Sequence, residues 1–316
     1  MGKDSRPPHA PVAASEGFKR AQIPTGTWVA VWNTADSGAG TLPVHAANPV
    51  RVVYHTGKGN SSHNYPGEYN RQLARQYYAL SQLSADDYLR GRMLYKRQGR
   101  AHPTLADMKA REDFQKRIAK EFKDKLDCSK GAARRLAAEV MAGLAMLHEP
   151  DQTLGRRGAI ARDENGHIVL GRSDVNSSIG SQHRVNVTAL DRAARDAQAQ
   201  GRGDCCLNIE VVVTHNPRLV SRLRSQAVDL SSTRSSAERP AGLRSPPRSL
   251  TPHDLVAGTW PGAEVKPQMP LKPPPSGALI DYLQARANQM QAQESQRSRS
   301  DRNRATSRRG ENGLER

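Results

Sequence analysis

Leu147-His148-Glu149-Pro150-Asp151-Gln152, closing an apolar helical pattern, and Asn176-Ser177-Ser178-Ile179-Gly180-Ser181-Gln182, after a glycine-rich interval, decide how the rest of this chain is read. The first run sets an imidazole and a carboxylate three positions apart. The second strings together small hydrogen-bonding side chains with no role in an apolar core. Such a pairing suits an ion or a phosphate gripped from two segments. Upstream, Ala133, Leu136, Ala137, Val140, Met141, Leu144 and Leu147 recur at helical spacing, which marks 131–147 as the expected central helix. Pro150 disfavours helical backbone at Glu149, so that helix is expected to end near His148 and present the ring at its terminus.

Working outward, Ala159-Ile160-Ala161 and His167-Ile168-Val169-Leu170 flank Asn165-Gly166 and predict a hairpin. Val185, Thr188, Leu190 and Ala194 predict a helix ending at Gly201, with Asn176, Ser177 and Ser178 just before it. Ile209-Glu210-Val211-Val212-Val213 is a short apolar strand, expected to join either that hairpin or the N-terminal strands. Toward the N-terminus, Tyr69, Leu73, Gln76 and Leu80 form one face of a helix whose opposite face carries Arg71 and Arg75. Ser84 with Asp87 predicts a capped helix bearing Tyr88, Leu89, Arg92 and Tyr95 and ending at Gly99. Thr104 with Asp107 repeats the device for a charged helix to about Leu126, with the stripe Leu105, Met108, Phe114, Ile118 and Phe122. Trp28–Trp32 and Val50–Tyr54 read as two short strands, joined in a hairpin with a long loop.

The whole-chain composition bounds the rest. Among 316 residues, 36% hydrophobic and 4% aromatic content is low for a chain packed from end to end, so mobile termini are expected at 1–25 and 217–316. The latter is rich in Ser, Pro and Arg, with a short helix at 278–293. A net charge of +17 favours a polyanionic partner, since clustered Lys and Arg release counterions from phosphates. Three cysteines, Cys205 and Cys206 adjacent, supply neither a disulfide framework nor a CxxC pair. The sequence holds no apolar run of membrane-spanning length and no signal-peptide core.

Four blocks together resemble the polymorphic toxin type 15 domain. They are Glu68-Tyr69-Asn70-Arg71-Gln72-Leu73-Ala74-Arg75-Gln76; Leu83-Ser84-Ala85-Asp86-Asp87-Tyr88-Leu89 with Arg92, Tyr95, Gly99 and Arg100; and the two runs quoted first. The resemblance covers 67–198. It implies a mostly helical nuclease module with a His-x-x-Asp motif, as in bacterial effectors that include type VI secretion DNases. Carried onto this chain, the motif falls on His148 and Asp151, with His148 a general base or metal ligand and Asp151 a ligand of a divalent metal ion, Mg2+ being the expected one. The family further implies DNA as substrate, a cognate immunity protein, a secretion carrier or adaptor, export without a signal peptide, and action in the target-cell cytoplasm. Family domains usually end a longer delivery protein, whereas here tail residues follow.

The residues also admit plainer readings. His148 could cap a helix C-terminus and Asp151 could cap the next turn. Asn176, Ser177, Ser178 and Gln182 are the expected substrate contacts, through backbone amides at a helix start, with His183 facing the same cleft. Glu149 and Gln152 are expected just behind the site. Arg71, Arg75, Arg92 and Arg100 could line a DNA groove, although solvated helix faces explain them nearly as well. The expected class is α+β and predominantly helical: a toxin nuclease domain at 67–216 with a small hairpin or sheet, preceded by a short β segment and connector at 26–66. The alternatives are an RNase of the same fold and a non-catalytic nucleic-acid-binding protein.

Overall fold

Every residue of Ile209–Thr214 is buried, and this run of β-branched side chains is the strand about which the sheet is built. The computed structural model describes residues 17–23, 27–34, 42–45, 48–56, 65–155, 159–228, 230, 245–258, 285 and 287–292. The strands are β1 (Lys19–Gln22), β2 (Trp28–Asn33), β3 (Val50–His55), β4 (Leu144–Met146), β5 (Leu170–Arg172) and β6 (Ile209–Thr214). The helices are α1 (Pro66–Leu80), α2 (Ala85–Gln98), α3 (Leu105–Leu126), α4 (Lys130–Ala142), α5 (Ser173–Ala199), α6 (Val220–Arg224) and α7 (Pro252–Ala257). The architecture is α+β and predominantly helical, as expected. Among the described residues no helix is long and apolar enough to cross a membrane. The chain divides into two units, Met1–Thr104 with Ala145–Ser249, and Leu105–Leu144 with Leu250–Arg316.

In the first unit the sheet runs β1-β2-β6-β3, antiparallel except for the parallel β3/β6 pair. The predicted β2/β3 hairpin does not form: β6 inserts between them, since a strand of mainly β-branched apolar residues gains most where both its edges and both its faces are covered. β1 lies within the stretch expected to be a mobile leader, and β2 and β3 share one sheet with β6. Val29, Val31, Val53 and Val212 face one side and pack with Leu219, Val220, Leu223, Val228 and Leu230. Part of the expected tail therefore closes this core. Trp32 and Tyr54 face the other side, where their rings meet Tyr77 of α1 at 6.2 and 6.0 Å.

β3 is the sheet edge next to α5, and an open edge leaves backbone groups without partners. Two amide side chains one helical turn apart on α5 close it. Gln182 accepts from the His55 amide (2.9 Å) and donates to its carbonyl (3.0 Å). Asn186 does the same for Val53, at 3.1 and 3.2 Å.

On α1 the apolar face is as predicted, with Tyr69, Leu73 and Leu80 buried. The basic opposite face is not: Arg71 and Arg75 are 0% and 3% exposed. Arg71 donates to both Glu68 oxygens and to the Leu170 carbonyl; Arg75 grips Glu149. Packing on both sides of α1 leaves no solvated face, and buried guanidiniums persist only when ion-paired. α2 begins and ends as predicted, with Ser84 accepting from the Asp87 amide and Gly99 at φ 67°. Arg92, also buried, donates to Asp191 (3.0 Å), which accepts from the Tyr88 hydroxyl as well (2.8 Å). A helix connection like that predicted at Gly201 is present, but α5 starts earlier, at Ser173. The Ala161/Val169 backbone bond and the Gly166 turn give the predicted hairpin in loose form, while its distal residues leave to pair as β5 with β4.

The second unit contains the helix expected to be central. α4 ends at Ala142, and Leu144–Met146 is strand, not helix. Ladder pairing wins over a helical period that the sequence continues to Leu147. α3 packs with α4 and α7 through Phe114, Ile118, Phe122 and Leu126. Leu105 and Met108 are exposed at 90% and 46%, since at roughly 100° per residue they sit about 180° and 120° from Phe114. Residues 287–292 are helical, within the predicted 278–293 segment.

Candidate functional site

His148 does not end a helix. It follows β4 on a loop whose backbone is fixed by the Leu147 amide donating to Val169 O and the Ala161 amide donating to Leu147 O. Almost every other part of the loop is anchored. Glu149 is held by Arg75 through two bonds of 2.5 and 2.9 Å. The Gln152 amide accepts from the Ala101 N–H (2.7 Å) and donates to the Ala101 carbonyl (3.2 Å). Arg92 donates to the Thr153 carbonyl (2.5 Å). The loop closes at Gly155, in the left-handed region at φ 105°, directly against α2. A Cβ at Gly91 would overlap the Gly155 carbonyl, so this crossing requires glycine.

Two side chains of this loop carry chemistry. The Gln152 Nε2 lies 2.9 Å from His148 Nε2. Because both Ala101 backbone groups orient the amide, that nitrogen of Gln152 is a donor. His148 Nε2 is then an acceptor, and the neutral ring carries its proton on Nδ1. Asp151 accepts from the Thr153 amide (2.9 Å) and hydroxyl (2.7 Å), and Arg100 lies 3.8 Å away. Burial would raise the Asp151 pKa, but its interactions with His183, Thr153 and Arg100 outweigh burial and hold the carboxyl below its usual range. Asp151 also caps the turn that follows it. The capping reading of Asp151 is therefore true and does not exhaust the residue, whereas the helix-end reading of His148 fails with the helix.

The second run lies inside α5, not before it. Amides of Ser177 and Ser178 are within the helical ladder, and residues spaced about 100° apart cannot all face one cleft. Ser177 is exposed, Asn176 half-buried, Ser178 and Gln182 buried. Gln182 is spent on the β3 edge and on the Tyr69 hydroxyl (3.1 Å). The expected row therefore does not lie along one face of the helix. The Arg71 and Arg75 guanidiniums are committed to Glu68 and Glu149 in the interior. Of the four arginines considered for a groove, Arg100 alone keeps an exposed side chain, at 57%.

The two runs do converge, because α5 packs on the turn Gln152–Leu154. The α5 side chain whose charge bears on Asp151 is His183. It is fully buried, its Nδ1 lies 2.8 Å from the Tyr54 hydroxyl, and Tyr54 lies 2.7 Å from the Tyr77 hydroxyl. Burial pushes the His183 pKa down to about 4 against the pull of the Asp151 carboxylate. A neutral His183 lends Asp151 no charge at neutral pH, so Thr153 and Arg100 keep that carboxylate ionised. The sequence offered His183 only as a neighbour of Gln182. Its signal was the i, i+7 step from Asn176, which returns to the same helix face.

Among the described residues, no three His, Cys, Asp or Glu side chains converge. A divalent ion here would be held mainly by Asp151 with imidazole nitrogen nearby, water and phosphate oxygens completing its shell, and Mg2+ accepts such sparse protein ligation. The donor types fit.

No curated protein matches the chain. Residues 63–212 match the family model described as Novel toxin 15, Ntox15. That span holds α1 to α5, the His148 loop and most of β6, while β1, β2 and β3 lie outside it and complete the same sheet. On this match the chain carries a polymorphic toxin type 15 domain.

Proposed function

We propose that this toxin domain hydrolyses phosphodiester bonds of DNA, with His148 moving the protons and Asp151 holding a divalent metal ion. The observation that carries the reading is the anchored loop: Glu149, Gln152 and Thr153 are tied down, and among them the loop holds a half-buried imidazole and a buried, ionised carboxylate. Rigid support of this kind serves chemistry that depends on sub-ångström placement.

Cleavage needs an activated water, neutralisation of charge on the phosphate and a proton for the leaving oxygen. When bound, a divalent ion supplies positive charge to the phosphate and acidifies water. His148, oriented by Gln152, offers a donor at Nδ1 for the leaving oxygen, and its Nε2 becomes a base once Gln152 yields. Arg100 projects into solvent beside Asp151, where a guanidinium can pair with a phosphate oxygen and seat the backbone. The overall charge of +17 draws the polyanion in.

As a toxin, the protein acts in the cytoplasm of a rival bacterium, reaches it through a secretion system and its carrier, and is neutralised at home by an immunity protein. Supercoiled plasmid and purified RNA, offered separately to the full chain with Mg2+ or with EDTA, test the reading. Plasmid cleavage that EDTA and His148→Ala both abolish is expected. RNA cleavage with intact plasmid, or cleavage unaffected by His148→Ala, overturns it.

A further inference from the structure

The outward side of α5 carries a straight stripe of hydrogen-bond donors. Ser177, Ser181, Arg184, Thr188, Arg192 and Arg195 are all exposed. Steps of three or four residues at roughly 100° per residue gather them into a sector about 80° wide, which at about 1.5 Å per residue runs roughly 27 Å along the axis. The apolar positions that seat the helix, Val175, Ile179, Leu190 and Ala194, lie away from this sector. Two exposed cations elsewhere show a helix face that satisfies itself: Arg90 pairs with Asp87 on α2 (2.8 Å) and Lys116 with Asp113 on α3 (2.9 Å). On α5 the acids are otherwise engaged. Asp174, at the N-terminal end of the stripe, is neutralised by Arg172 (2.7 Å), and Asp191 is held by Arg92 and Tyr88. Asp196, one turn beyond Arg192, forms no ion pair with it. Arg184, Arg192 and Arg195 have no hydrogen-bond or ion-pair partner among the described residues. Ser181 donates its hydroxyl to the Ser178 carbonyl (2.8 Å), whereas those of Ser177 and Thr188 make no bond among the described residues. Positive charge continues from the stripe onto α2: Lys96 reaches Asp191 (3.2 Å), and Arg100, four residues on, lies 3.8 Å from Asp151.

We propose that this face of α5 is a docking surface for the sugar-phosphate backbone of duplex DNA. Unpaired guanidiniums and hydroxyls are donors that phosphate oxygens accept from whatever the base sequence. Over roughly 27 Å of its axis one strand offers about eight phosphates, one per about 3.4 Å, so three arginines find partners without distortion of the duplex. A protein partner would need an apolar centre to bury, and Val185 is the one large apolar side chain exposed on this helix. The surface deepens the nuclease reading and rests on it for the identity of the polyanion. It grips substrate without taking part in the chemistry of the loop.

The full chain in EDTA, titrated by fluorescence anisotropy against a short DNA duplex and an RNA duplex of the same sequence across a range of salt, reads binding without cleavage. Arg184→Gln, Arg192→Gln and Arg195→Gln combined are expected to lower the slope of log affinity against log salt by about 2–3, since each phosphate contact contributes about 0.9, and to weaken DNA binding about tenfold. Lys116→Gln, Lys120→Gln and Lys123→Gln combined remove the same charge from exposed positions on α3 and are expected to leave the slope nearly unchanged. No fall in slope in the α5 variant, or an equal fall in the α3 variant, overturns the surface; so does an α5-dependent preference for the RNA duplex. Plasmid and RNA cleavage under Mg2+, measured in parallel, keeps the two readings apart. A parent that binds DNA through α5 and cleaves neither substrate removes the nuclease and leaves the surface. A parent that cleaves plasmid, beside an α5 variant that binds DNA as tightly, removes the surface and leaves the nuclease.

Discussion

The loop at 147–155 and the helical stretch at 176–182 looked alike in sequence, each a cluster of polar side chains in apolar surroundings. In the structure they do opposite work. The loop ties its neighbours down and so fixes a half-buried His148 and a buried Asp151 in place. The helix spreads its polar residues around its axis, sends Ser177 to solvent, spends Gln182 on a strand edge and contributes His183 alone to the carboxylate. A row of like side chains makes a surface on a loop or strand; on a helix it becomes several unrelated contacts.

The largest effect that sharpens this contrast should come from these two side chains of the loop. His148→Ala and Asp151→Asn are each expected to lower plasmid cleavage about 1,000-fold while the circular dichroism spectrum stays that of the folded protein. Equal loss from Ser177→Ala would erase the distinction. Next comes the crossing beneath the loop. Gly91→Ala forces the Gly155 carbonyl aside, and a displacement near 1 Å should reduce single-turnover cleavage on the order of 100-fold with a lesser effect on stability.

Much of this was legible. The caps of α2, the apolar face of α1 and the strand at 209–214 follow from local spacing, and local spacing is what a sequence displays. What was hidden depends on partners far along the chain. Arg71 and Arg75 sit at positions any helix could turn to solvent, and only burial of both sides of α1 makes them ion pairs. Leu144 and Leu147 keep a helical period while pairing with β5 makes 144–146 a strand. β6 dividing β2 from β3 is invisible in either strand. His183 is the same case: nothing local distinguishes it from other histidines until Tyr54, from more than a hundred residues away, meets its ring.

Smaller effects test the supporting side. Glu149→Gln leaves the Arg75 guanidinium buried without its charge partner, for a loss of about 3 kcal/mol in urea unfolding. Asp191 supplies the smallest. Burial would raise its pKa, but hydrogen bonds from Arg92 and Tyr88 and the nearby Lys96 lower it. A carboxyl depressed on folding stabilises above its unfolded pKa and loses that contribution as pH falls through its folded pKa. Thermal stability should therefore decline with acid below about pH 4, and more shallowly in Asp191→Asn, which starts less stable at neutral pH. Parallel acid profiles in the two proteins would break this point.

Gln182→Ala set beside His148→Ala, in single-turnover plasmid cleavage corrected for folded fraction, is the sharpest comparison of helix support with loop chemistry. Gln182→Ala should lower stability by about 1–3 kcal/mol, because it strips partners from the His55 backbone, and keep cleavage per folded molecule within a few-fold of the parent. His148→Ala should do the reverse, unfolding like the parent and cleaving almost nothing. A stable, inactive Gln182→Ala beside an active His148→Ala would contradict the account.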